Sequence, residues 1–269
     1  MATRTAAVPG PSRLPGFARW RGWAGKILYV ILLIVAWKVL VTALRINTLL
    51  FPPPDAVFAS FLEFANLILY SSGITMFSAL IGFVIAILVG IGLAVAVVYS
   101  PPLRAVILSS VVAVNATPKV AVTPILIIWL GIGLESKVAL AFLLSFFPVL
   151  INAIRGLSDI PNDLLNLYRL MQASPLQVFV KVRMPSALPG IFDGLKIALP
   201  ISMIGAVAAE FVAARQGIGY QIVIAYANFN SEFVFAAVIT LAILATLLFQ
   251  ALLLIEDRLL FWRPSKQIF

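Results

Sequence analysis

The run Ile74–Tyr99, ITMFSALIGFVIAILVGIGLAVAVVY, decides the fold. It holds no charged residue, and it is longer than the roughly 20 apolar residues that a bilayer-spanning helix needs. Its Gly82, Gly90 and Gly92, with Ala86 and Ala94, are small residues of the kind that let membrane helices approach closely. Five further blocks read as spans: Ile27–Leu44, Ala105–Leu130, Lys137–Ile154, Leu195–Ala214 and Val234–Ile255. Pro118 and Pro124 interrupt the block from Ala105 to Leu130. The 269 residues are 62% hydrophobic and 11% charged, with a mean hydropathy of +1.10. An ordinary soluble domain carries about 25% charged residues. A soluble enzyme, a disordered chain and a repeat solenoid are therefore excluded. The expected fold is an all-α membrane protein with about six transmembrane helices.

The chain has no Cys and no His, which removes disulfides and any metal site or catalysis built on those residues. Its net charge of +9 is explained by topology once the basic residues are sorted among the loops. Thirteen share one side of a six-span arrangement: Arg4, Arg13, Arg19, Arg21, Lys26, Arg104, Arg155, Arg169, Lys181, Arg183, Arg258, Arg263 and Lys266. The other side has three, Arg45, Lys137 and Arg215. This asymmetry places both termini in the cytoplasm and leaves no need for a nucleic-acid partner. Residues 1–25, rich in Arg, Pro, Gly and Ala, read as a disordered cytoplasmic tail, and 26–269 as the membrane domain. Outside the membrane, Phe51-Pro52-Pro53-Pro54 precedes a short interfacial helix expected over Asp55–Leu69.

The long cytoplasmic loop runs from Arg155 to about Gly194. Leu164, Leu165, Leu167, Tyr168 and Met171 make an apolar stripe at helical spacing. Ser158 or Asp159 could cap that helix, with Pro161 in its first turn. Ala173-Ser174-Pro175 breaks it, because the residue before a proline avoids the helical region. A second short helix is expected over Leu176–Val182, ended by Pro185 and Pro189. The pair reads either as interfacial helices lying on lipid or as a docking knob for a cytoplasmic partner.

This segment resembles the cytoplasmic Glu-Ala-Ala loop of permease subunits of ABC importers, in the branch that handles nitrate, sulfonates and taurine. The likeness lies in Ala173-Ser174-Pro175-Leu176-Gln177, Phe179, Lys181-Val182, Met184-Pro185 and Ala187-Leu188-Pro189-Gly190-Ile191. It continues in Thr117-Pro118-Lys119, Pro124, Trp129-Leu130-Gly131, Ser136-Lys137, Phe147-Pro148, Asn152, Ala209-Glu210-Phe211 and Gly217-Ile218-Gly219-Tyr220, covering about residues 75–260. The sequence departs from the pattern at two places. Asn166, Leu167 and Tyr168 stand where Glu-Ala-Ala is usual, and Gln172 stands where Gly is usual.

The resemblance implies a type I ABC importer permease in the bacterial inner membrane, with cytoplasmic N- and C-termini. The loop at 156–193 would dock on a separate cytoplasmic ATP-binding subunit through Leu164, Leu167, Tyr168, Met171, Gln172, Ala173, Ser174 and Pro175. A second permease copy, as a homodimer, would complete the pathway. An extracytoplasmic substrate-binding protein would deliver the solute. No cofactor is expected on this chain, which has no G-x-x-x-x-G-K-[ST] phosphate loop, and ATP-Mg would be held and hydrolysed by the partner. The substrates implied are nitrate, sulfonates and taurine, or thiamine-precursor pyrimidines and riboflavin. Thr117-Pro118-Lys119 and the segment before Phe211 look closer to the pyrimidine and flavin members.

Ionisable residues inside spans are functional candidates. Lys119 lies about 21 Å into its span at 1.5 Å per residue, near mid-membrane, after Asn115, Thr117 and Pro118. Broken backbone at that depth is tolerated inside protein or beside a water-filled cavity. Asn115, Thr117 and Lys119 are therefore candidate pathway residues, and the alternative is a Lys that caps carbonyls freed by Pro118. Glu210 could face the pathway or pair with Arg215. Lys38 could snorkel to the outer interface, and Lys196 sits at the inner one. The competing function is an ATP-independent carrier or channel. It calls for paired intramembrane acids or an inverted repeat, and it leaves the long loop without a purpose.

Overall fold

A computed structural model describes residues 17–160 and 162–262. Eleven helices are assigned there: α1 (Phe17–Ala43), α2 (Pro54–Glu63), α3 (Ala65–Tyr99), α4 (Pro101–Ala116), α5 (Thr123–Leu130), α6 (Leu134–Ser158), α7 (Asn162–Leu170), α8 (Pro175–Val178), α9 (Met184–Val212), α10 (Ile218–Ala227) and α11 (Ser231–Leu259). Prolines open several of them. Pro54, Pro101 and Pro124 sit in first turns, where a missing N–H costs nothing because that group has no intrahelical partner.

Among the described residues, four helical stretches are long and apolar enough to cross a membrane: 65–99, 134–158, 175–212 and 231–259. The direction of each follows from glycine contacts. Gly82 and Gly90 of α3 meet Ala141 and Val149 of α6 in the same order, so these two helices run parallel. Gly205, Gly194 and Gly190 of α9 meet Ala141, Pro148 and Asn152 of α6 in the reverse order, so α9 is antiparallel. Two consecutive parallel spans require a return crossing between them. That crossing is the expected third span, built from α4, a 3-10 turn over Lys119–Val122, and α5. Its break falls at Pro118, where the sequence placed it. With α1, whose described apolar part Leu28–Ala43 is shorter than these four, each of the six expected spans is helical among the described residues.

The centre is α6. More than half of the apolar stretch of α6 is buried, against about a tenth of that of α11, so α6 is the axis and α11 lies on the outside of the bundle. The approach is close because side chains are missing where helices touch. A Cβ on Gly82 would lie 2.7 Å from the Ala141 Cβ, and one on Gly205 would lie 2.8 Å from the Ala141 Cα. The close backbone approach this permits makes dispersion contacts, which hold membrane helices together where lipid removes the hydrophobic drive. Of the three glycines expected to pack in α3, Gly82 and Gly90 do so, and Gly92 faces open space. The apolar core nearer the cytoplasm joins Phe147, Leu150, Ile154, Ile191, Phe192 and Leu195.

Several boundaries differ from expectation. Within the expected tail, residues 1–16 lie outside the described residues, and α1 begins at Phe17. The outer helix is α2, which stops at Glu63, and α3 starts before the membrane at Ala65. Pro185 and Pro189 do not end a helix: the chain stays helical from Pro175 to Val212. Pro189 is carried inside α9, and at Pro185 the reason is a π-helical turn over Phe179–Arg183. Its wider spacing absorbs the carbonyl of Lys181, which the ring of Pro185 would otherwise meet in a regular α-helix. The α10 helix was not foreseen; its ten residues are too short to signal as a span.

Candidate functional site

The cytoplasmic knob has the expected outline. α7 ends in a turn where Met171 N–H donates to the Leu167 carbonyl and Ala173 N–H to that of Tyr168. Gln172 there has φ +53°, the left-handed region that favours glycine. A Gly, which stands here in the pattern the loop resembles, would adopt this geometry freely, whereas Gln costs roughly 1–2 kcal/mol. The helix turn thus survives the departure from the pattern. Ser174 then caps α8 through a reciprocal pair of bonds. Its Oγ accepts from the Gln177 N–H at 3.3 Å, and the Gln177 Oε1 accepts from the Ser174 N–H at 2.9 Å. Pro175 follows at the first turn.

The side chains expected to dock stand outward. Leu164, Leu167 and Met171 are exposed at the i, i+3, i+7 spacing of one face, with Leu170 and Leu176 exposed beside them. Gln172, Ser174 and Pro175 are exposed, while Tyr168 and Ala173 are half-buried. The Leu165 side chain lies outside the described residues, as does Pro161 altogether. Arg183 fastens the knob to the bundle. Its Nη1 donates to the Leu157 carbonyl at 3.1 Å, and its guanidinium lies 5.4 Å from the Tyr99 ring centroid. Sequence reasoning counted Arg183 only as a cytoplasmic charge.

The break in the third crossing brings Thr117 and Lys119 to mid-height. Thr117 is extended after α4, and the Pro118 carbonyl accepts from Ala121 N–H at 2.9 Å. The Lys119 Nζ lies 4.9 Å from the ring centroid of Phe147, in the middle of α6. The Asn115 side chain lies outside the described residues. Glu210 is not part of this group.

Glu210 sits at the other end of α9, toward the outside, with its side chain fully buried. Its partner is Lys137, not Arg215. Lys137 Nζ to Glu210 Oε1 is 2.9 Å, and Lys137 also donates to the Gln216 carbonyl. The Thr75 hydroxyl lies 2.9 and 2.8 Å from the two carboxylate oxygens and accepts from the Ile218 N–H at 3.0 Å. Gly219 N–H donates to Oε2 at 2.8 Å, so the carboxylate also caps the start of α10. A buried ion pair is retained only when such bonds satisfy both ions. Here one acid joins α3, α6, α9 and α10. The glycines make room: a Cβ on Gly217, whose φ is +110°, would fall 1.9 Å from Oε1, and one on Gly219 would be 2.8 Å from the Glu210 Cβ. An acid followed by Gly-x-Gly after a span was the signal available in sequence.

The other intramembrane cations are also paired. Lys196 reaches Asp193 at 2.8 Å and Glu256 at 2.9 Å, tying α9 to α11 near the cytoplasmic side. Lys38 meets Asp55 at 3.3 Å at the outer end of α1. Among the described residues no cluster of acids, His or Cys could hold a metal ion.

Residues 86–261 match the family described as binding-protein-dependent transport system inner membrane component. The chain is 30% identical to the formylaminopyrimidine transport permease protein ThiX of Halalkalibacterium halodurans, over 89% of its own length and 96% of that protein's. It is 29% identical to the taurine transport system permease protein TauC of Escherichia coli K12, over 87% of its length and 88% of that protein's. Among solved structures, an inward-facing conformation of the MetNI methionine ABC transporter superposes with a TM-score of 0.58 and 23% identity, covering 72% of this chain and 95% of that one. The last match speaks to the fold alone.

Proposed function

The chain belongs to the family of binding-protein-dependent transport system inner membrane components, and from that membership we propose how it works. It is a permease subunit of an ABC importer, with the type I fold, in the bacterial inner membrane. The proposal concerns coupling, pathway and substrate.

The knob formed by α7 and α8 docks on a separate ATP-binding subunit, which hydrolyses ATP-Mg. The observation that carries this reading is the face of Leu164, Leu167 and Met171, held out from the bundle on a capped turn and braced by Arg183. Tyr168, Gln172, Ala173, Ser174 and Pro175 shape the same knob. A second copy of the chain completes the translocation pathway, and an extracytoplasmic binding protein delivers solute to it. Asn115, Thr117 and Lys119 line the pathway at the break in the third crossing. Glu210, buried in packing, serves the pathway at one remove by fixing α10 and the outer ends of three helices. A cation at mid-depth favours a solute with an anionic or electron-rich group. That fits the small anionic or heterocyclic nutrients to which the relatives' names refer.

The test is purification of the tagged protein from its native membrane with an ATPase assay. Co-purifying ATP-binding subunits, with hydrolysis stimulated by a substrate-binding protein, is the expected result. A chain that purifies without an ATPase and still transports would make it an ATP-independent carrier instead.

A further inference from the structure

A groove of about 640 Å³ opens on the outer surface of the bundle, where α1, α2 and α11 meet. Its lower walls are apolar: Ile34 and Trp37 from α1, Phe58 from α2, and Ile239 and Ile243 from α11. Its mouth holds two opposite charges, Lys38 and Asp55, 3.3 Å apart. More than half of each charged side chain remains exposed, so each keeps capacity for a further partner. The neighbouring Pro54 starts α2, placing the mouth at the outer end by the distribution of basic residues.

The depth of the groove falls within one leaflet of a bilayer, whose hydrocarbon is about 15 Å thick. From Ala236 to Ile243 the α11 wall descends about 10 Å at 1.5 Å per residue, the depth of the upper part of an acyl chain. Below it, α1 continues as an exposed apolar helix over Leu28–Leu33, a surface for the rest of the chain. The mouth has no net charge. A phosphate would meet Lys38, and an ammonium would meet Asp55. An anionic headgroup would satisfy only the first and would face repulsion from the second.

We propose that this groove is a binding site for a zwitterionic phospholipid of the outer leaflet, with one acyl chain along Ile34 and Ile243 and the headgroup across Lys38 and Asp55. The lipid fills the seam between α1 and the rest of the bundle, where α1 has little other packing against α11.

The intact importer complex, purified with its partners in mild detergent, is delipidated and titrated with phosphatidylethanolamine or phosphatidylglycerol under native mass spectrometry. Expected is one phosphatidylethanolamine per permease chain, bound about tenfold tighter than phosphatidylglycerol, a difference of about 1.4 kcal/mol. Asp55→Asn removes that preference, and Ile243→Trp, which fills the groove from an exposed position, removes the bound lipid. ATPase activity in both variants verifies assembly. Equal binding of both lipids by the wild type, or retention of the lipid in Ile243→Trp, overturns the proposal. So does a disulfide-linked dimer formed efficiently by Phe58→Cys, which would place a second copy of the chain on the groove.

Discussion

Lys137 and Glu210 lie 73 residues apart in sequence, yet their side chains meet at 2.9 Å with 6% and 0% exposed. Removing one member of a buried pair leaves an uncompensated charge, a loss of about 3–5 kcal/mol. Lys137→Met is therefore expected to destabilise strongly. Lys137→Met with Glu210→Gln is expected to recover part of the loss, because the amide is neutral and its oxygen still accepts from Gly219. Thermal unfolding of the detergent-purified chains, arranged as a double-mutant cycle, reads the recovery directly. Strict additivity would show that the pair contributes nothing.

Gly217 is the second point of that arrangement. An alanine there is strained at φ +110° and collides with the Glu210 carboxylate. Strain alone costs about 1–3 kcal/mol. Gly217→Ala is expected to loosen α10, seen as faster protease cleavage between 213 and 230 in inside-out-free, right-side-out vesicles. Wild-type cleavage would contradict the tight approach.

The glycines of α3 separate by position. Gly82→Ala would place a methyl 2.7 Å from Ala141 and is expected to lower the melting temperature. Gly92→Ala has open space and is expected to be neutral or, by helix propensity, slightly stabilising by up to about 1 kcal/mol. Melting curves of the two proteins in one detergent make the comparison, and equal losses would refute the packing order.

The docking face is tested by charge. Leu167→Asp with Met171→Asp replaces two exposed apolar contacts by carboxylates, with no buried partner lost from the bundle. The permease is expected to insert and fold normally while recovery of the ATP-binding subunit in pull-down drops at least about tenfold, more than 1.4 kcal/mol. Unchanged recovery would place docking elsewhere.

Lys119→Ala is expected to leave assembly intact and to lower substrate uptake by about tenfold or more, as for a charge placed deep in a membrane for function. Lys119→Arg should retain more uptake than Ala. Wild-type uptake by the Ala variant would reduce Lys119 to a partner of the Phe147 ring.

The features legible in sequence were those whose cause is local. Apolar length marked the crossings, Pro118 marked the break, and Ser174-Pro175 marked the turn of the knob. Features made by distant residues were not legible. Nothing near Glu210 in the chain names Lys137 or Thr75, and Arg215 was the nearer candidate by sequence alone. Ala141 gives no sign that Gly82 and Gly205 converge on it. Pro185 and Pro189 mislead for the opposite reason. Their local rule disfavours a regular helix, yet Pro185 follows a π turn at the start of α9 and Pro189 is carried inside α9 without ending it.

That unbroken run from Pro175 to Val212 makes one rod of α8 and α9. It is seated on α6 at three heights, where Gly190, Gly194 and Gly205 approach Gly156, Asn152 and Ala141 with no glycine side chain between. A helix held at three points along another cannot swing about one of them without opening the other two. A push received at the knob is therefore handed to α6 and α9 together, as one paired body with the Lys137–Glu210 contact at its outer end.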